Sequence, residues 1–545
     1  MSSSFRSHLT VLEKTASLHP EASAFRLPVV GADGAILQWS SVSYQQFWED
    51  VESTARHWLQ ELTSQSIYSG SVVGMWYVLN GMAYSDVLHI YGMSRAGYIP
   101  QLFSLRLPNA DVICELLART GATALICDPS LRPALARCPV PVSTVFDHLR
   151  PAADPSSPLP SMYDFSPNDR AFIFHTSGST SGSPKLVPCT YRWIDCAISK
   201  GMEINKPFSA LSQDVSTWMG SMCHIGQTCS LLFNIVYGSC TIQPTKIAFS
   251  SEELKDMVQR CGLNRLAQFA TFLSIHIRHS KNDPQLLSML QNLDEVMYAG
   301  IPIGREEEDW ALAKGMNVVN LFGSTELGPL MRNVGGSTPT GKLVRPLQCT
   351  QYRFVPIQEK SIAESEQHQS TTAQLLELVV LPESGDCPDM SLRAEDGLFH
   401  TGDLFQEVLP GLYAPRGRND DWIKSENSLR CDTKAIEDNV RLQCKHLIEE
   451  CIVVGNGRPS PALFIEVSSE SGAKDHAKVK KEIIRRIRAF HSRLYLHERI
   501  TDPRMIIVVP SKTLPRTATK GNIRRKEVEG TYQEMLDELY AATRL

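Results

Sequence analysis

The chain lacks the features that mark several large classes of protein. No apolar run approaches the roughly eighteen residues of a membrane-spanning helix, so we expect no membrane span. Its fourteen cysteines form no C-x-x-C pair and no Cys/His cluster at metal-ligand spacing. The 54 Lys and Arg residues are fewer than the 59 Asp and Glu residues, and the net charge is −5. A nucleic-acid partner is not expected, because such proteins carry a basic surface.

The two ends of the chain bear on its location. The first residues, M-S-S-S-F-R-S-H, contain no apolar signal segment. We therefore expect a cytoplasmic protein in a reducing compartment. The last three residues, T-R-L, are of the same kind as the peroxisomal S-K-L signal, but threonine at the first position makes the match weak, which leaves a peroxisomal location as an alternative.

Length and periodicity predict at least two domains. A chain of 545 residues with 42% apolar content exceeds what one hydrophobic core usually holds. Extended apolar segments alternate with helical ones, which is typical of a parallel α/β layer. These segments are 72–75, 86–94, 97–103, 112–120 and 124–126.

A second domain is predicted after Gly417, where the sequence turns charged in R-G-R-N-D-D-W-I-K. The expected domains are 1–417, a large α/β domain, and 418–545, a small α+β domain. Strands of the small domain are expected at 451–454, 462–467 and 505–509, with an amphipathic basic helix over 478–488.

A hydroxyl- and glycine-rich loop, H-T-S-G-S-T-S-G-S-P-K at 175–185, follows the apolar run 171–174. Glycines allow close backbone approach, hydroxyls can donate to phosphate oxygens, and Lys185 supplies a positive charge. The loop is not a Walker motif, and a flexible solvated loop is the alternative. The candidate phosphate-binding residues are Thr176, Ser177, Gly178, Ser179, Thr180 and Lys185.

This loop resembles the T-S-G-[ST]-T-G-x-P-K-G signature of the adenylate-forming superfamily, which includes acyl-CoA ligases and peptide-synthetase adenylation domains. The chain departs from it by one extra residue and by Leu186 in place of glycine. The resemblance implies a large N-terminal adenylation domain and a smaller mobile C-terminal domain, with ATP and Mg²⁺ as cofactors.

A second motif, N-L-F-G-S-T-E at 320–326, follows the apolar pair 318–319 and resembles the family's Y-G-x-T-E. The resemblance implies that Phe322 stacks on adenine, that Thr325 contacts the α-phosphate and that Glu326 helps to hold Mg²⁺. Taken alone, G-S-T-E is a common turn sequence. The nucleotide-binding candidates of this motif and of the upstream A-G-I-P, which resembles the adenine-pocket G-G-A-P, are Asn320, Phe322, Gly323, Ser324, Thr325, Gly300 and Ile301.

Two further motifs complete the expected nucleotide site. G-L-F-H-T-G-D at 397–403 resembles G-W-[FY]-x-T-G-D, which implies that Asp403 accepts hydrogen bonds from the ribose hydroxyls. G-R-N-D-D-W-I-K at 417–424 resembles the segment that joins the two domains. By that resemblance Arg418 binds ribose or phosphate and Asp420 is the hinge between half-reactions. Taken alone, T-G-D is more typical of a surface turn, and a solvated charged linker explains the second string equally well.

The terminal string L-P-R-T-A-T-K-G-N-I-R-R at 514–525 resembles the family's L-P-x-T-x-x-G-K-[IV]-x-R with lysine and glycine exchanged. The resemblance assigns Lys520 as the catalytic lysine. The alternative is that Lys520 is one cation among the solvated Arg516, Arg524 and Arg525.

His224 in S-M-C-H-I-G-Q resembles the P-x-x-H motif of acyl-CoA and aryl-CoA ligases, whose ring closes one side of the carboxylate pocket. A packed core histidine is the alternative. Amino-acid-activating members carry an aspartate near this position, and Asp214 mimics it but lies too close to Lys185 along the chain. An uncharged pocket favours an acid without an α-amino group.

The motifs resemble, in order, those of fungal peptide-synthetase-like and reductase-like adenylation domains and of acyl-CoA ligases. The implied reaction joins a carboxylic acid to AMP with release of pyrophosphate. A thiol, either coenzyme A or the phosphopantetheine arm of a separate carrier protein, then receives the acyl group. A non-catalytic adenylate-binding protein, an amino-acid-activating enzyme and a P-loop-like ATPase or kinase remain alternatives.

Overall fold

The computed structural model describes most of the chain, and its residues form two compact units. The described residues are 5–76, 82–104, 109–146, 157–176, 184–300, 302–336, 338–357, 375–419, 422–424, 430–467, 476–492, 494, 498–516 and 523–543. The first unit consists of 1–354, 379–400 and 407–414, and the second of 355–378, 401–406 and 415–545.

Fourteen α-helices lie within the described ranges. They are α1 (His8–Leu18), α2 (Tyr44–Ser64), α3 (Tyr84–Arg95), α4 (Ala110–Thr120), α5 (Tyr191–Ile204), α6 (Ile225–Val236), α7 (Ser251–Cys261), α8 (Ala270–Ser280), α9 (Pro284–Asn292), α10 (Arg305–Ala313), α11 (Thr433–Cys444), α12 (His476–His491), α13 (Arg525–Thr531) and α14 (Gln533–Thr543).

The strands of the same ranges number twenty-four. They are β1 (Ser23–Val30), β2 (Ile36–Ser43), β3 (Val72–Trp76), β4 (Ile99–Phe103), β5 (Ala124–Cys127), β6 (Val142–Thr144), β7 (Arg170–Thr176), β8 (Lys185–Thr190), β9 (Val215–Thr217), β10 (Cys240–Ile242), β11 (Arg265–Phe269), β12 (Glu295–Ala299), β13 (Val318–Ser324), β14 (Gly328–Asn333), β15 (Val344–Pro346), β16 (Tyr352–Pro356), β17 (Leu375–Val380), β18 (Phe399–Leu409), β19 (Leu412–Arg418), β20 (Trp422–Lys424), β21 (Arg430–Asp432), β22 (Glu450–Val454), β23 (Ala462–Glu466) and β24 (Ile506–Val509).

Helix α7 illustrates how the local sequence sets an element's limits. The Ser250 hydroxyl accepts a hydrogen bond from the Glu253 amide and caps the first turn. Leu254 and Met257, three positions apart, are buried on the same face of the helix. Gly262 ends the helix at a φ of 71°, a left-handed conformation that glycine adopts without steric cost.

A six-stranded sheet of the first unit runs in the order β6-β5-β3-β4-β7-β8. Neighbours pair in parallel except β7 and β8, which form an antiparallel hairpin. Helices α3 and α4 connect its parallel strands. The predicted alternation of strand and helix from 72 to 126 is therefore confirmed.

A larger sheet of the first unit positions the second group of candidate residues. Its strands lie in the order β15-β14-β13-β12-β11-β9-β10-β1-β2. Phe269 at the end of β11 pairs with Ala299 of β12, and Ala299 pairs with Leu321 of β13, all in parallel register. The carboxyl ends of β11, β12 and β13 thus meet at one edge of the sheet, where ligands of α/β proteins bind.

The second unit contains the three-stranded sheet β22-β23-β24. The first pair is antiparallel and the second parallel, which gives an α+β arrangement. Val479, Ile483 and Ile487 of α12 are buried, whereas the cations of that helix face outward. The strand and helix predictions for this region are confirmed, and the boundary at 417 stays a prediction.

No helix in the described part of the chain is both long and apolar enough to cross a bilayer.

Candidate functional site

The two ends of the first loop are brought together by the β7–β8 hairpin. Thr176 at the end of β7 pairs with Lys185 at the start of β8. The other four candidates of this loop, Ser177, Gly178, Ser179 and Thr180, lie outside the described residues. Thr176 and Lys185 therefore flank a hairpin connection at the carboxyl end of β7, consistent with the predicted strand-then-loop arrangement.

His175, the residue before Thr176, is held by the neighbouring strand β4. Its Nδ1 lies 2.9 Å from the Leu102 carbonyl oxygen and its ring stacks on Phe103 at 4.5 Å. Burial lowers the pKa of His175 to about 4, so the ring is neutral at physiological pH. A neutral ring bonded to the neighbouring strand serves a structural purpose, which the sequence alone did not indicate.

The N-L-F-G-S-T-E motif forms β13 and the tight turn into β14. A side chain at Gly323 would place its Cβ 2.5 Å from the Gly328 carbonyl oxygen of the returning strand. Gly328 has a φ of 64°, which also favours glycine. The two glycines allow the strands to approach closely and fix the turn that carries Thr325 and Glu326.

Two side chains of helix α5 hold this turn by donating hydrogen bonds to the backbone carbonyl groups of the turn. Trp193 Nε1 donates to the Glu326 carbonyl oxygen at 3.1 Å, and Lys200 Nζ donates to the Leu327 carbonyl oxygen at 2.8 Å. Lys200 is fully buried and forms an ion pair of 2.7 Å with Asp386. No local pattern in the sequence relates Trp193, Lys200 and Asp386 to this turn. Their contacts could therefore not be predicted from the sequence.

The turn also presents polar atoms that the described residues leave available. The Ser324 hydroxyl is buried and has no hydrogen-bond partner within the described ranges. Thr325 and Glu326 are half-buried beside it. Within the same ranges no group of three or more His, Cys, Asp or Glu side chains could hold a metal by itself. Glu326 is therefore suited to supply one carboxylate to a cation that phosphates and water also ligate.

His224 lies at the N-terminus of α6, near the end of β11. Its Nδ1 accepts a hydrogen bond of 3.1 Å from the Gly226 amide, and its ring packs edge-on against Phe269 at 5.3 Å. The residue is exposed, which excludes the packed-core alternative. Gly220 lies against the Phe269 ring, where a Cβ would come within 2.8 Å of it.

Gly300, at the end of β12, lies beside the same ring. Its φ is 97°, and a Cβ there would meet Phe269 at 3.5 Å. The neighbouring candidate Ile301 lies outside the described residues. Asn320 sits in the adjacent strand β13, where its amide donates to the Asn333 side-chain oxygen at 2.9 Å. The structure thus brings His224, Gly300 and Asn320 to one edge of the large sheet.

Asp214 is engaged elsewhere. Arg265 Nε lies 2.9 Å from its carboxylate, and Arg265 also pairs with Glu295 at 3.4 Å. All three side chains are buried. A carboxylate held in this way is not available to a substrate ammonium group, in agreement with the sequence argument against it.

The second unit joins two motifs that are separate in sequence. Arg418 Nη1 donates to Asp403 Oδ1 at 3.2 Å. The Asp403 side chain is 12% exposed and that of Arg418 49%. Gly402, with a φ of 71°, leaves room for the guanidinium, since a Cβ there would lie 3.0 Å from Arg418 Nη2. Asp420 lies outside the described residues.

Lys520 also lies outside the described residues, but the chain on either side of it is firmly held. Arg516 pairs with Ile523 in an antiparallel bridge, and the Arg524 amide donates to the Pro515 carbonyl oxygen at 2.8 Å. The segment 517–522 therefore connects two closely paired ends.

The expectation that the neighbouring arginines are solvated is wrong. Arg516 and Arg524 form ion pairs with Glu466 and Glu527, with side chains 26% and 20% exposed. Arg525 is buried against Glu437 at 2.6 Å. These partners lie up to 88 residues away in sequence, so charge content alone could not identify these arginines as structural.

Comparison with known proteins identifies the family. Residues 12–367 match the family of AMP-binding enzymes, and residues 420–544 match the AMP-binding enzyme C-terminal domain. The chain belongs to the AMP-binding enzyme family. The first match alone covers about two thirds of the chain, and the second falls within the predicted small domain. The resemblance inferred from the motifs is confirmed.

Relatives of this AMP-binding enzyme include fungal proteins. The chain is 36% identical over 522 residues to the AMP-binding domain-containing enzyme iboA of Amanita muscaria, with 94% of this chain and 98% of iboA covered. It is 24% identical over 471 residues to the adenylate-forming reductase stbB of Stachybotrys bisbyi. That match covers 83% of this chain but 41% of stbB, so the chain spans less than half of the reductase.

Solved structures show the same fold. The o-succinylbenzoate coenzyme A synthetase of Bacillus subtilis, in complex with ATP and magnesium, superposes with a TM-score of 0.71 at 17% identity. The match covers 95% of this chain and 99% of the synthetase. The large α/β domain and smaller C-terminal domain are thus confirmed, and the chain is an adenylate-forming enzyme by family.

Proposed function

We propose that the chain activates a carboxylic acid without an α-amino group as its acyl-adenylate, releases pyrophosphate and transfers the acyl group to a thiol. The observation that carries the proposal is the contact between Asp403 and Arg418 at 3.2 Å. It unites the two motifs expected to bind ribose and phosphate, and a solvated turn or linker would not require it.

The nucleotide would be bound by groups from both motif sets. The Asp403 carboxylate would accept hydrogen bonds from the ribose hydroxyls, and the half-exposed Arg418 beside it would bind ribose or phosphate. In the first unit Thr325 donates to the α-phosphate and the buried Ser324 hydroxyl gains a partner. Phe322 packs on the adenine ring.

Glu326 and Mg²⁺ fit one another chemically. A half-buried carboxylate whose backbone is held by Trp193 would supply one oxygen ligand. When bound, Mg²⁺ offsets the negative charge that develops on the departing pyrophosphate. Thr176 and Lys185, at the two ends of the phosphate loop, would hold the same group through hydrogen bonds and charge.

The acid would lie near His224 at the carboxyl ends of β11 and β12. The exposed His224 ring packs edge-on against Phe269, and Gly220 and Gly300 lie beside the same phenyl ring. Asp214, the carboxylate nearest in motif to an ammonium-binding residue, is buried and bound to Arg265. An α-ammonium group would lack this counter-ion, and an unpaired buried charge is costly.

Lys520 would bridge the carboxylate and phosphate oxygens in the transition state. Arg516 and Ile523, on either side of the segment that carries this lysine, pair with each other. Arg516, Arg524 and Arg525 form ion pairs with glutamates, which supports Lys520 as the catalytic cation of this string. In-line attack by the acid then requires positioning and charge, and no further covalent help from the protein.

Coenzyme A is the favoured acceptor, and a carrier protein acting in trans is the second candidate. Coenzyme A needs no protein partner, and the structural neighbour from Bacillus subtilis is a coenzyme A synthetase by name. The resemblance of the motifs to peptide-synthetase adenylation domains keeps the carrier-protein route open.

A two-stage experiment tests the proposal. Purified protein is first given ATP, Mg²⁺ and panels of aryl, fatty, keto and amino acids, and acid-dependent pyrophosphate is measured. Coenzyme A is then added with the best acid, and thioester is followed by mass spectrometry. We expect pyrophosphate with a non-amino acid, followed by thioester. A preference for an α-amino acid over its deaminated analogue would contradict the pocket, and release of ADP would contradict adenylation.

A further inference from the structure

The first unit contains a pair of adjacent thiols beside a buried lysine. Cys196, on α5, is 6% exposed, whereas Cys349, in the segment between β15 and β16, is exposed. Cys196 Sγ lies 4.0 Å from the Cys349 carbonyl oxygen. The Cys196 thiol thus lies against Cys349, and the two thiols are close enough to shift each other's pKa.

The protein around this pair is built tightly. Gly385 lies against Cys196, since a Cβ there would come within 2.9 Å of the Cys196 Cβ. The segment that carries Cys349 is tied to residues 381–384 by two hydrogen bonds, from the Gln351 amide to the Ser384 hydroxyl at 3.0 Å and from the Leu381 amide to the Gln351 carbonyl oxygen at 3.1 Å. The thiols therefore stay adjacent without a conformational search.

Charged groups next to the pair distinguish its two sulfur atoms. Lys200 lies one helical turn beyond Cys196 and is fully buried. Burial opposes its charge, but the Asp386 carboxylate at 2.7 Å keeps the pKa of Lys200 above its ordinary value. The neighbouring Cys196 thiol and the Lys200 ammonium lower the pKa of Cys349, against the opposing effects of burial and of the Asp386 and Glu203 charges.

We propose that Cys349 and Cys196 form a redox-sensitive modification site, in which a peroxide oxidises Cys349 and Cys196 completes a disulfide. The Cys349 thiolate attacks one oxygen of hydrogen peroxide; the O–O bond breaks and sulfenic acid and hydroxide form. The Cys196 thiol then displaces water from the sulfenic acid as the S–S bond forms. Together the two thiols lose two protons and two electrons, and the peroxide takes them up to become two molecules of water.

A second thiol pair provides an internal comparison. Cys114 and Cys138 are both half-buried and lie close to each other. Burial and the neighbouring Cys138 raise the pKa of Cys114 to about 11. Cys114 therefore serves as a reference thiol that has a cysteine neighbour but no lowered pKa.

The experiment uses the full chain in the reduced state. Hydrogen peroxide is added, remaining thiols are alkylated at intervals, and each cysteine is quantified by peptide mass spectrometry without reduction. We expect Cys349 to be lost at least about tenfold faster than Cys114, since thiolate fraction outweighs the lower nucleophilicity of the more acidic thiol. A peptide cross-linked through Cys349 and Cys196 should accumulate and disappear on reduction.

Three variants make the result decisive. In Cys196→Ser, Cys349 should be trapped as sulfenic acid by dimedone, and in Cys349→Ser no cross-link should form. Cys387→Ser, at another half-buried thiol nearby, should behave like the wild type. Equal oxidation rates for Cys349 and Cys114 would overturn the proposal. So would sulfenic acid that persists in the wild type without the cross-link.

Discussion

Arg418 donates a hydrogen bond of 3.2 Å to Asp403, and this contact connects strand β18, which carries the T-G-D string, with the last residue of strand β19. Each residue belongs to a short string that is common in surface turns. Their contact within the second unit gives both strings a shared purpose, because a nearby guanidinium stabilises the carboxylate in its charged, hydrogen-bond-accepting form.

Replacing Asp403 with alanine should chiefly weaken ATP binding. Loss of a charged hydrogen-bond acceptor typically costs about 1.5–3 kcal/mol, which corresponds to a rise in Kd of roughly 10- to 150-fold. Isothermal titration calorimetry measures the Kd for ATP directly. Asp396→Ala, which removes an exposed carboxylate from the same region, is the matched control and should leave the Kd unchanged. An unaltered Kd in Asp403→Ala would count against the ribose assignment.

Glu326→Gln should lower the rate of pyrophosphate release and raise the Mg²⁺ concentration needed for half-maximal rate. The amide keeps the size of the side chain and leaves the backbone carbonyl that Trp193 binds, so the turn should persist. The substitution removes the negative charge of the Glu326 side chain, which a hard cation such as Mg²⁺ would need. The measurement is a Mg²⁺ titration of initial rates, with the exposed Glu306→Gln as control. Identical titration curves would remove Glu326 from cation binding.

Lys200→Met should destabilise the first unit by about 3–5 kcal/mol, because it leaves the buried Asp386 without its counter-charge. Adding Asp386→Asn should recover part of the loss. Arg305→Met removes a cation that is 93% exposed and pairs with Asp309 at 3.8 Å, so it should change stability by less than about 1 kcal/mol. Urea denaturation followed by tryptophan fluorescence compares them. Equal effects at the two sites would contradict a buried charge pair.

Folding stability should fall as the pH drops below 6.5. Burial lowers the pKa of His8 from 6.5 to about 3, and no hydrogen-bond partner for its ring nitrogens lies within the described residues. The unfolded state therefore binds a proton that the folded state excludes. Stability present above pH 6.5 is lost as the pH falls towards 3, by up to about 1.4 kcal/mol per pH unit for this group.

His8→Phe should make that pH dependence shallower, since the ring contacts with Tyr91 and Phe172 are kept while the titrating group is removed. Denaturant unfolding at several pH values on either side of 6.5 provides the slopes. His19→Phe alters an exposed histidine just after α1 and should retain the wild-type slope. A His8→Phe slope equal to that of the wild type would show that His8 does not titrate differently in the two states.

Lys520→Ala should abolish acyl-adenylate formation while the thermal unfolding temperature stays the same. The lysine contributes charge to the transition state, whereas the arginines near it hold the fold through Glu466 and Glu437. Lys526→Ala, an exposed lysine six residues further on, is the control and should remain active. Pyrophosphate release by Lys520→Ala at the wild-type rate would exclude it from the mechanism.

Local sequence predicted the elements that carry the site. Alternation of apolar segments revealed β3, β4 and β5 with their helices, and the glycine turn of β13 followed a clear strand. These features depend on neighbours within one or two turns of chain. The glycine at position 323 had a reason that only the fold supplies, namely the carbonyl of the returning strand.

Long-range polar contacts were beyond sequence reasoning. Lys200 and Asp386 are 186 residues apart, and nothing in either neighbourhood marks them as partners. The sequence around His224 was compatible with a pocket residue and with a core residue. The structure places His224, exposed, at the N-terminus of α6. The ion pairs of Arg516 and Arg525 are formed with Glu466 and Glu437, which come from a distant strand and a distant helix, so the sequence alone did not reveal them.

The central claim is that a carboxylate oxygen of the substrate attacks the α-phosphorus of ATP, and isotope transfer tests it most directly. The acid identified by the substrate panel is labelled with ¹⁸O in its carboxylate and turned over with ATP, Mg²⁺ and the thiol acceptor. Acyl transfer breaks the bond between carbon and oxygen, so the AMP released should carry one ¹⁸O atom by mass spectrometry. Unlabelled AMP, or ADP in its place, would contradict the account.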